Sequence, residues 1–101
     1  MAIVDVSVAP LGTGTTSLSR YVAEALKLVR AEKGIKYELT AMGTIIEGDL
    51  GQIFALVKKM DEAVFALGAS RVYIVMKIDD RRDKETGIAY KVESVKKKLG
   101  Q

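Results

Sequence analysis

The chain has 101 residues, about half of them hydrophobic, and no apolar run approaches the roughly 20 residues of a bilayer-spanning helix, so one soluble domain over residues 1–101 is expected. It contains no Cys, His, Asn or Trp, which excludes thiolate nucleophiles, Ser–His relays and the ordinary zinc ligand sets, and leaves carboxylate, hydroxyl, amine and backbone chemistry. The net charge of +3 is small, and its basic excess, Lys96-Lys97-Lys98 and Arg81-Arg82, reads as solvated surface rather than a nucleic-acid patch.

Met1-Ala2 leads directly into a strand pattern carrying Asp5, without a basic export signal, so a cytoplasmic location is expected. Residues 3–9 alternate, with Val4, Val6 and Val8 on one side and Ile3, Asp5, Ser7 and Ala9 on the other, as in a strand with one face in a core. Pro10 to Ser17 is rich in turn formers, and Thr16 or Ser17 is placed to cap the helix that follows. That helix carries Leu18, Tyr21, Val22, Ala25, Leu28 and Val29 at helical spacing, and Gly34 suits a left-handed ending.

Two short alternating runs, Lys36 to Ala41 and Thr44 to Glu47, meet at Met42-Gly43 and predict an antiparallel hairpin, with a single bulged strand as the alternative. Asp49 is placed to cap a second helix, with Gln52 able to return a capping-box bond and Gly68 to close it. Its buried stripe is Ile53, Leu56, Val57, Met60, Val64 and Leu67, with Phe54 and Phe65 on the flank. Arg71 to Ile78 reads as a fourth strand, a charged loop runs from Asp79 to Gly87, and a last helix carries the narrow seam Ile88, Val92, Val95 and Leu99.

The order βαββαβ plus a C-terminal helix predicts an α+β, ferredoxin-like domain with an antiparallel sheet and both long helices on one face. Strand alternation gives the other face Ile3, Asp5, Ser7, Glu38, Thr40, Met42, Ile45, Glu47, Tyr73, Val75 and Lys77. That mixture is too apolar to leave wholly exposed and too charged for a dry core, so a partner copy packed on it is expected, with polar members lining a cavity between chains.

Three further signals invite chemistry. Gly12-Thr-Gly-Thr-Thr-Ser17 imitates a dinucleotide fingerprint but lacks the third glycine and any Walker lysine, and reads as a βα turn, with a loop bordering the ligand or subunit interface as the alternative. Asp5 and Glu47 are a conceivable acid/base pair, but no nucleophile accompanies them; Asp5 reads better as paired with Lys77 or Arg71. Tyr73 alone does not make an RNA-stacking platform.

Ser7-Val-Ala-Pro-Leu-Gly-Thr13, Lys77-Ile-Asp-Asp-Arg-Arg82 and, above all, Tyr37-Glu-Leu-Thr-Ala-Met-Gly-Thr-Ile-Ile-Glu-Gly48 resemble the thiamine-binding-protein-like family. The resemblance implies a ferredoxin-like monomer, sheet-to-sheet dimers assembled into a tetramer, and non-catalytic binding of thiamine or its hydroxymethylpyrimidine moiety. An aminopyrimidine suits a carboxylate acceptor (Glu47), hydroxyls of either sense (Ser7, Thr40, Thr44) and a soft stacking surface (Met42). Those five residues form the expected site, at a subunit interface on the open sheet face, with no cofactor, nucleic acid or membrane involved. A regulatory or structural oligomer that senses another small metabolite is the alternative; enzyme and RNA-binding readings have less support.

Overall fold

A computed structural model describes Met1–Gly100. Its elements are β1 (Ala2–Pro10), α1 (Ser19–Ala31), β2 (Lys36–Leu39), β3 (Thr44–Gly48), α2 (Leu50–Ala66), β4 (Val72–Asp80) and α3 (Ile88–Lys98). The four strands form one antiparallel sheet in the order β2-β3-β1-β4, the ferredoxin-like arrangement in an α+β chain. Among the described residues no helix is long and apolar enough to cross a membrane.

The strand alternation determines which face the long helices cover. Val4 and Val6 stand opposite Ile46 and Thr44 on β3 and opposite Ile78 and Met76 on β4, so one face of the sheet presents a mainly apolar surface. Ala25 and Val29 of α1 and Ile53, Leu56, Val57 and Met60 of α2 close over it to form the core. Full burial of each such Val, Leu or Ile side chain contributes about 1.5–3 kcal/mol before the entropy of ordering is counted.

The ends of α2 are as expected: Asp49 Oδ2 accepts from the Gln52 N–H at 3.0 Å, and Gly68, at a φ of 99°, donates from its N–H to the Phe65 carbonyl. The Gln52 side chain does not complete a capping box. Its Nε2 donates to Glu32 Oε1 at 3.0 Å and to the Lys33 carbonyl at 2.7 Å, tying the end of α1 to the start of α2. Nor do Thr16 and Ser17 cap α1: the N-cap position falls on Leu18, which has no hydroxyl, and the Ser17 N–H is bonded back to Thr15 Oγ1 within the loop. Strand β2 stops at Leu39 rather than Ala41, since Thr40 to Gly43 form the hairpin turn. Strand β4 runs past Ile78 because Ile3 and Ala2 of β1 continue to pair with Asp79 and Asp80.

Candidate functional site

The hairpin turn is locked by one threonine and one glycine. The Thr40 N–H and hydroxyl both donate to the Gly43 carbonyl, at 2.8 and 3.0 Å, and Thr40 Oγ1 accepts from the Met42 N–H at 3.3 Å. Gly43 lies directly against β1: a Cβ there would stand 2.8 Å from the Val6 carbonyl oxygen and 3.0 Å from Asp5 Oδ1. Any other residue would push the turn away from the strand.

Between this turn, β1 and the first half of α1 lies a cavity of about 310 Å³. That is at the small end of the range, roughly 300–1,000 Å³, in which small-molecule sites fall. Its wall is apolar, with Val6, Val22, Ala25, Leu26 and Met60 contributing. The space exists in part because Ala25, the fully buried residue of α1 that lines it, offers only a methyl group. Thr44 is the polar side chain in this wall, 5% exposed and opposite Val6 in register, hence on the helix side of the sheet.

Of the expected site residues, Ser7, Thr40, Met42 and Thr44 all border this cavity, but in different ways. Alternation sends the Ser7 hydroxyl to the open face, so Ser7 meets the cavity as the strand backbone between Val6 and Val8. The Thr40 hydroxyl is engaged in the turn. Met42 stands at the mouth, 88% exposed. Thr44 is the expected hydroxyl whose side chain belongs to the helix side.

Glu47 is not brought together with the other four within the chain. Alternation turns Thr44 and Ile46 toward the helices and Ile45 and Glu47 toward the open face, and three residues of strand separate Thr44 from Glu47 by about 10 Å. Glu47 is instead buried to 7% exposure beneath the start of α3, where Oε1 accepts from the Ile88 N–H at 2.6 Å, and it lines a separate, open recess between β2 and α3. The expected placement extended strand parity through Thr40 and Met42, which are turn residues and obey no such parity.

The remaining candidates stand apart from the cavity. Asp5 is exposed opposite Lys77 in the β1–β4 register. In the Gly12–Ser17 loop, Gly12 and Gly14 take φ values of 74° and 76°, and the Thr13 hydroxyl bonds to the Thr15 carbonyl. In the charged loop after β4, the Arg81 guanidinium forks onto Asp83 at 2.6 and 2.9 Å and lowers its carboxyl pKa from 3.8 to about 2. The hydrogen bond from Lys84 Nζ lowers the pKa of the Tyr90 hydroxyl. Sequence reasoning assigned Val22, Ala25 and Met60 to buried stripes without seeing that they also enclose a void. The small side chain of Ala25 among larger neighbours was the available signal.

A family model described as thiamine-binding protein matches residues 4–96. The UPF0045 protein YqgV of Bacillus subtilis is 49% identical over 102 residues, covering 98% of each chain. A UPF0045 protein of Methanothermobacter thermautotrophicus is 46% identical, covering 98% of this chain and all of its own. The crystal structure of the hypothetical protein MJ1052 of Methanocaldococcus jannaschii superimposes with a TM-score of 0.86 at 37% identity, covering 94% of this chain and 95% of that one. The chain therefore belongs to the thiamine-binding protein family, and the cavity is bordered by the hairpin segment that carries the resemblance.

Proposed function

We propose that the protein binds thiamine, or a molecule carrying its hydroxymethylpyrimidine portion, in the cavity between α1 and the hairpin turn, and releases it unchanged. The observation that carries this reading is the Thr44 side chain, 5% exposed, in a mainly apolar wall, in a chain that matches a thiamine-binding family over most of its length. A flat heteroaromatic ring suits Val6, Val22, Leu26 and the soft thioether of Met60, while Thr44 can donate to a ring nitrogen or accept from the exocyclic amine. The cationic end of the ligand is then left at the mouth, beside Met42. The cavity wall contains hydroxyls but no carboxylate, amine or imidazole to act on them, which supports binding without turnover.

The open face, expected to hold the ligand between subunits, serves in this reading as a subunit contact in a homotetramer built as a dimer of dimers. It presents Tyr73 and Val75 to solvent beside the partly covered Ile3 and Ile45. Calorimetric titration with thiamine and with hydroxymethylpyrimidine is the test. One ligand per chain is expected, recovered chemically intact, with Thr44→Val weakening affinity about two- to twelvefold, the equivalent of a neutral hydrogen bond of about 0.5–1.5 kcal/mol. Absence of binding by any thiamine derivative would overturn the reading.

A further inference from the structure

Strand β4 is an edge of the sheet, and a long one. It runs nine residues from Val72 to Asp80 and pairs with β1, whereas β2 at the opposite edge has four residues. Edge strands are commonly blunted by proline, bulges or charge, because an unpaired row of N–H and C=O groups templates the addition of another strand. β4 has no proline, keeps an unbroken register with β1, and is uncharged from Val72 to Met76.

Which backbone groups face the free edge follows from the paired side. The Leu11 N–H donates to the Arg71 carbonyl at 2.8 Å, and Pro10, which has no N–H, stands opposite Val72. Backbone groups alternate in direction along an antiparallel strand, so Arg71, Tyr73, Val75, Lys77 and Asp79 turn theirs toward β1. Val72, Ile74, Met76 and Ile78 turn theirs outward. The side chains of the first set belong to the open face, and those of the second to the helix side.

This edge is complementary to itself. In an antiparallel pair of two copies centred on Val75, Arg71 stands opposite the partner's Asp79 and Tyr73 opposite the partner's Lys77. On the helix side Ile74 meets the partner's Met76, and Ile78, itself 42% exposed, meets the partner's Val72. An ion pair, a cation beside an aromatic ring and apolar pairs coincide in one register. Centring on Ile74 would set Arg71 against the partner's Lys77, and centring on Lys77 would set that lysine against its own copy. Centring on Ile78 joins Lys77 to the partner's Asp79 but overlaps only the last half of the strand. Among the described residues the Arg71 guanidinium has no partner within the chain, and Asp79 engages Lys91 through Oδ2 alone.

Helix α2 adds an independent observation. It packs over β4 as well as β1, and its Gln52 side chain reaches the end of α1. Phe54 and Phe65 lie about 140–160° around the helix from Gln52, on the flank away from α1 and beside the β4 edge, and both are exposed.

We propose that β4 is a docking edge for a second copy of this chain, paired antiparallel about Val75 into one continuous sheet, with Phe54 and Phe65 of the two α2 helices facing each other above the seam. The outward groups of the two strands then make about eight backbone hydrogen bonds. A twofold axis through Val75 keeps both pairs of helices on one side of the joined sheet. The seam is separate from the open-face contact and supplies the second surface that a dimer of dimers needs. It stands whether or not the open faces pack and whatever the ligand is.

Residue-resolved hydrogen–deuterium exchange combined with sedimentation tests this. The internal reference is the other edge: the Thr40 N–H bonds to Gly43, so Tyr37 and Leu39 turn their N–H groups to the free side of β2. In wild type the Ile74 and Met76 amides should exchange at least about a hundredfold more slowly than those of Tyr37 and Leu39. Arg71→Asp, which sets two carboxylates opposite each other at both ends of the seam, should weaken association at least about tenfold. Mixing it with Asp79→Arg should recover association to within about threefold of wild type, because the two variants are complementary only to each other. Should Asp79→Arg, which also loses the Lys91 ion pair, fail to fold, the wild-type exchange rates and Arg71→Asp decide. An oligomer whose Ile74 and Met76 amides exchange as fast as the reference overturns the seam and leaves the open-face contact standing. A dimer with slow edge amides and no larger species supports the seam and overturns the open-face contact. A monomer, association that Arg71→Asp leaves unchanged, or folded variants that do not recover it on mixing would each overturn the proposal.

Discussion

Ala25→Leu distinguishes a void from a packed core and a binding site from an empty one. Ala25 is fully buried on α1 and faces a cavity of about 310 Å³. At roughly 30 Å³ of liquid volume per water, that space corresponds to on the order of ten waters, far more than the three carbons that leucine adds. Each added carbon that is buried contributes about 0.8 kcal/mol, so the void sets an upper gain of about 2.4 kcal/mol, whereas the same insertion into a close-packed core costs about 1–3 kcal/mol. The expected result is therefore stability equal to wild type or up to about 2 kcal/mol higher, read from urea unfolding with an unchanged slope. In the same preparation the leucine occupies the floor that a pyrimidine needs, and affinity for thiamine should fall at least about tenfold, or about 1.4 kcal/mol. Destabilisation by more than about 1 kcal/mol would show that the void is not available to side chains. A stable variant that binds as wild type does would place the ligand outside this cavity.

Assembly and the charged loop give two more tests. Val75 is 48% exposed on the open face, midway along the edge strand β4, so Val75→Lys should shift sedimentation from the proposed tetramer toward smaller species while the far-ultraviolet spectrum stays unchanged; unaltered sedimentation would exclude this part of the face from the contact. Asp83 titrates at about 2 rather than 3.8 because of the Arg81 fork, so its ionised form is favoured in the folded chain. Its contribution is present above about pH 4 and lost as pH falls toward 2, and carboxyl resonances followed by NMR should show the midpoint rising toward 3.8 in Arg81→Ala. A midpoint near 2 in that variant would assign the shift to another cause.

The parts of the fold with a strict period were legible in the sequence. Val4-Asp-Val-Ser-Val of β1 and the Ile53–Met60 stripe of α2 are found as their spacing predicts, because burial of one face leaves no freedom of register. Asp49 and Gly68 were legible for a different reason: cap and left-handed positions each demand a particular chemistry locally. What period and local chemistry cannot carry is the contact of one element with another distant in sequence. The bond from Ile88 to Glu47 joins residues 41 positions apart, and nothing in the hairpin segment hints that its carboxylate serves a helix rather than a ligand. The same holds for Gln52, whose local role as a capping-box partner yields to Glu32 and Lys33 at the end of the other helix. The cavity went unread because a void is an absence of side chains, and Ala25 fits a buried helical stripe as well as it fits a cavity wall.

The hairpin segment that identifies the family does two separate jobs through the five residues of β3. Thr44 turns toward the helices and the cavity, and Glu47 turns toward the open face and α3. Since side chains alternate with period two, a slip of one residue in this strand would send Thr44 and Glu47 to the wrong faces together, and would exchange buried Ile46 for Ile45. The register is set next door by the Thr40 bonds that close the turn and by the bare Cα of Gly43 against the Val6 carbonyl. Thr40 and Gly43 are therefore placed to govern both sites while the Thr40 hydroxyl, already engaged in the turn, has little left to offer a ligand. Within the Tyr37–Gly48 segment, the turn's geometry, rather than a row of ligand contacts, is the feature that the cavity and the Glu47–α3 contact have in common.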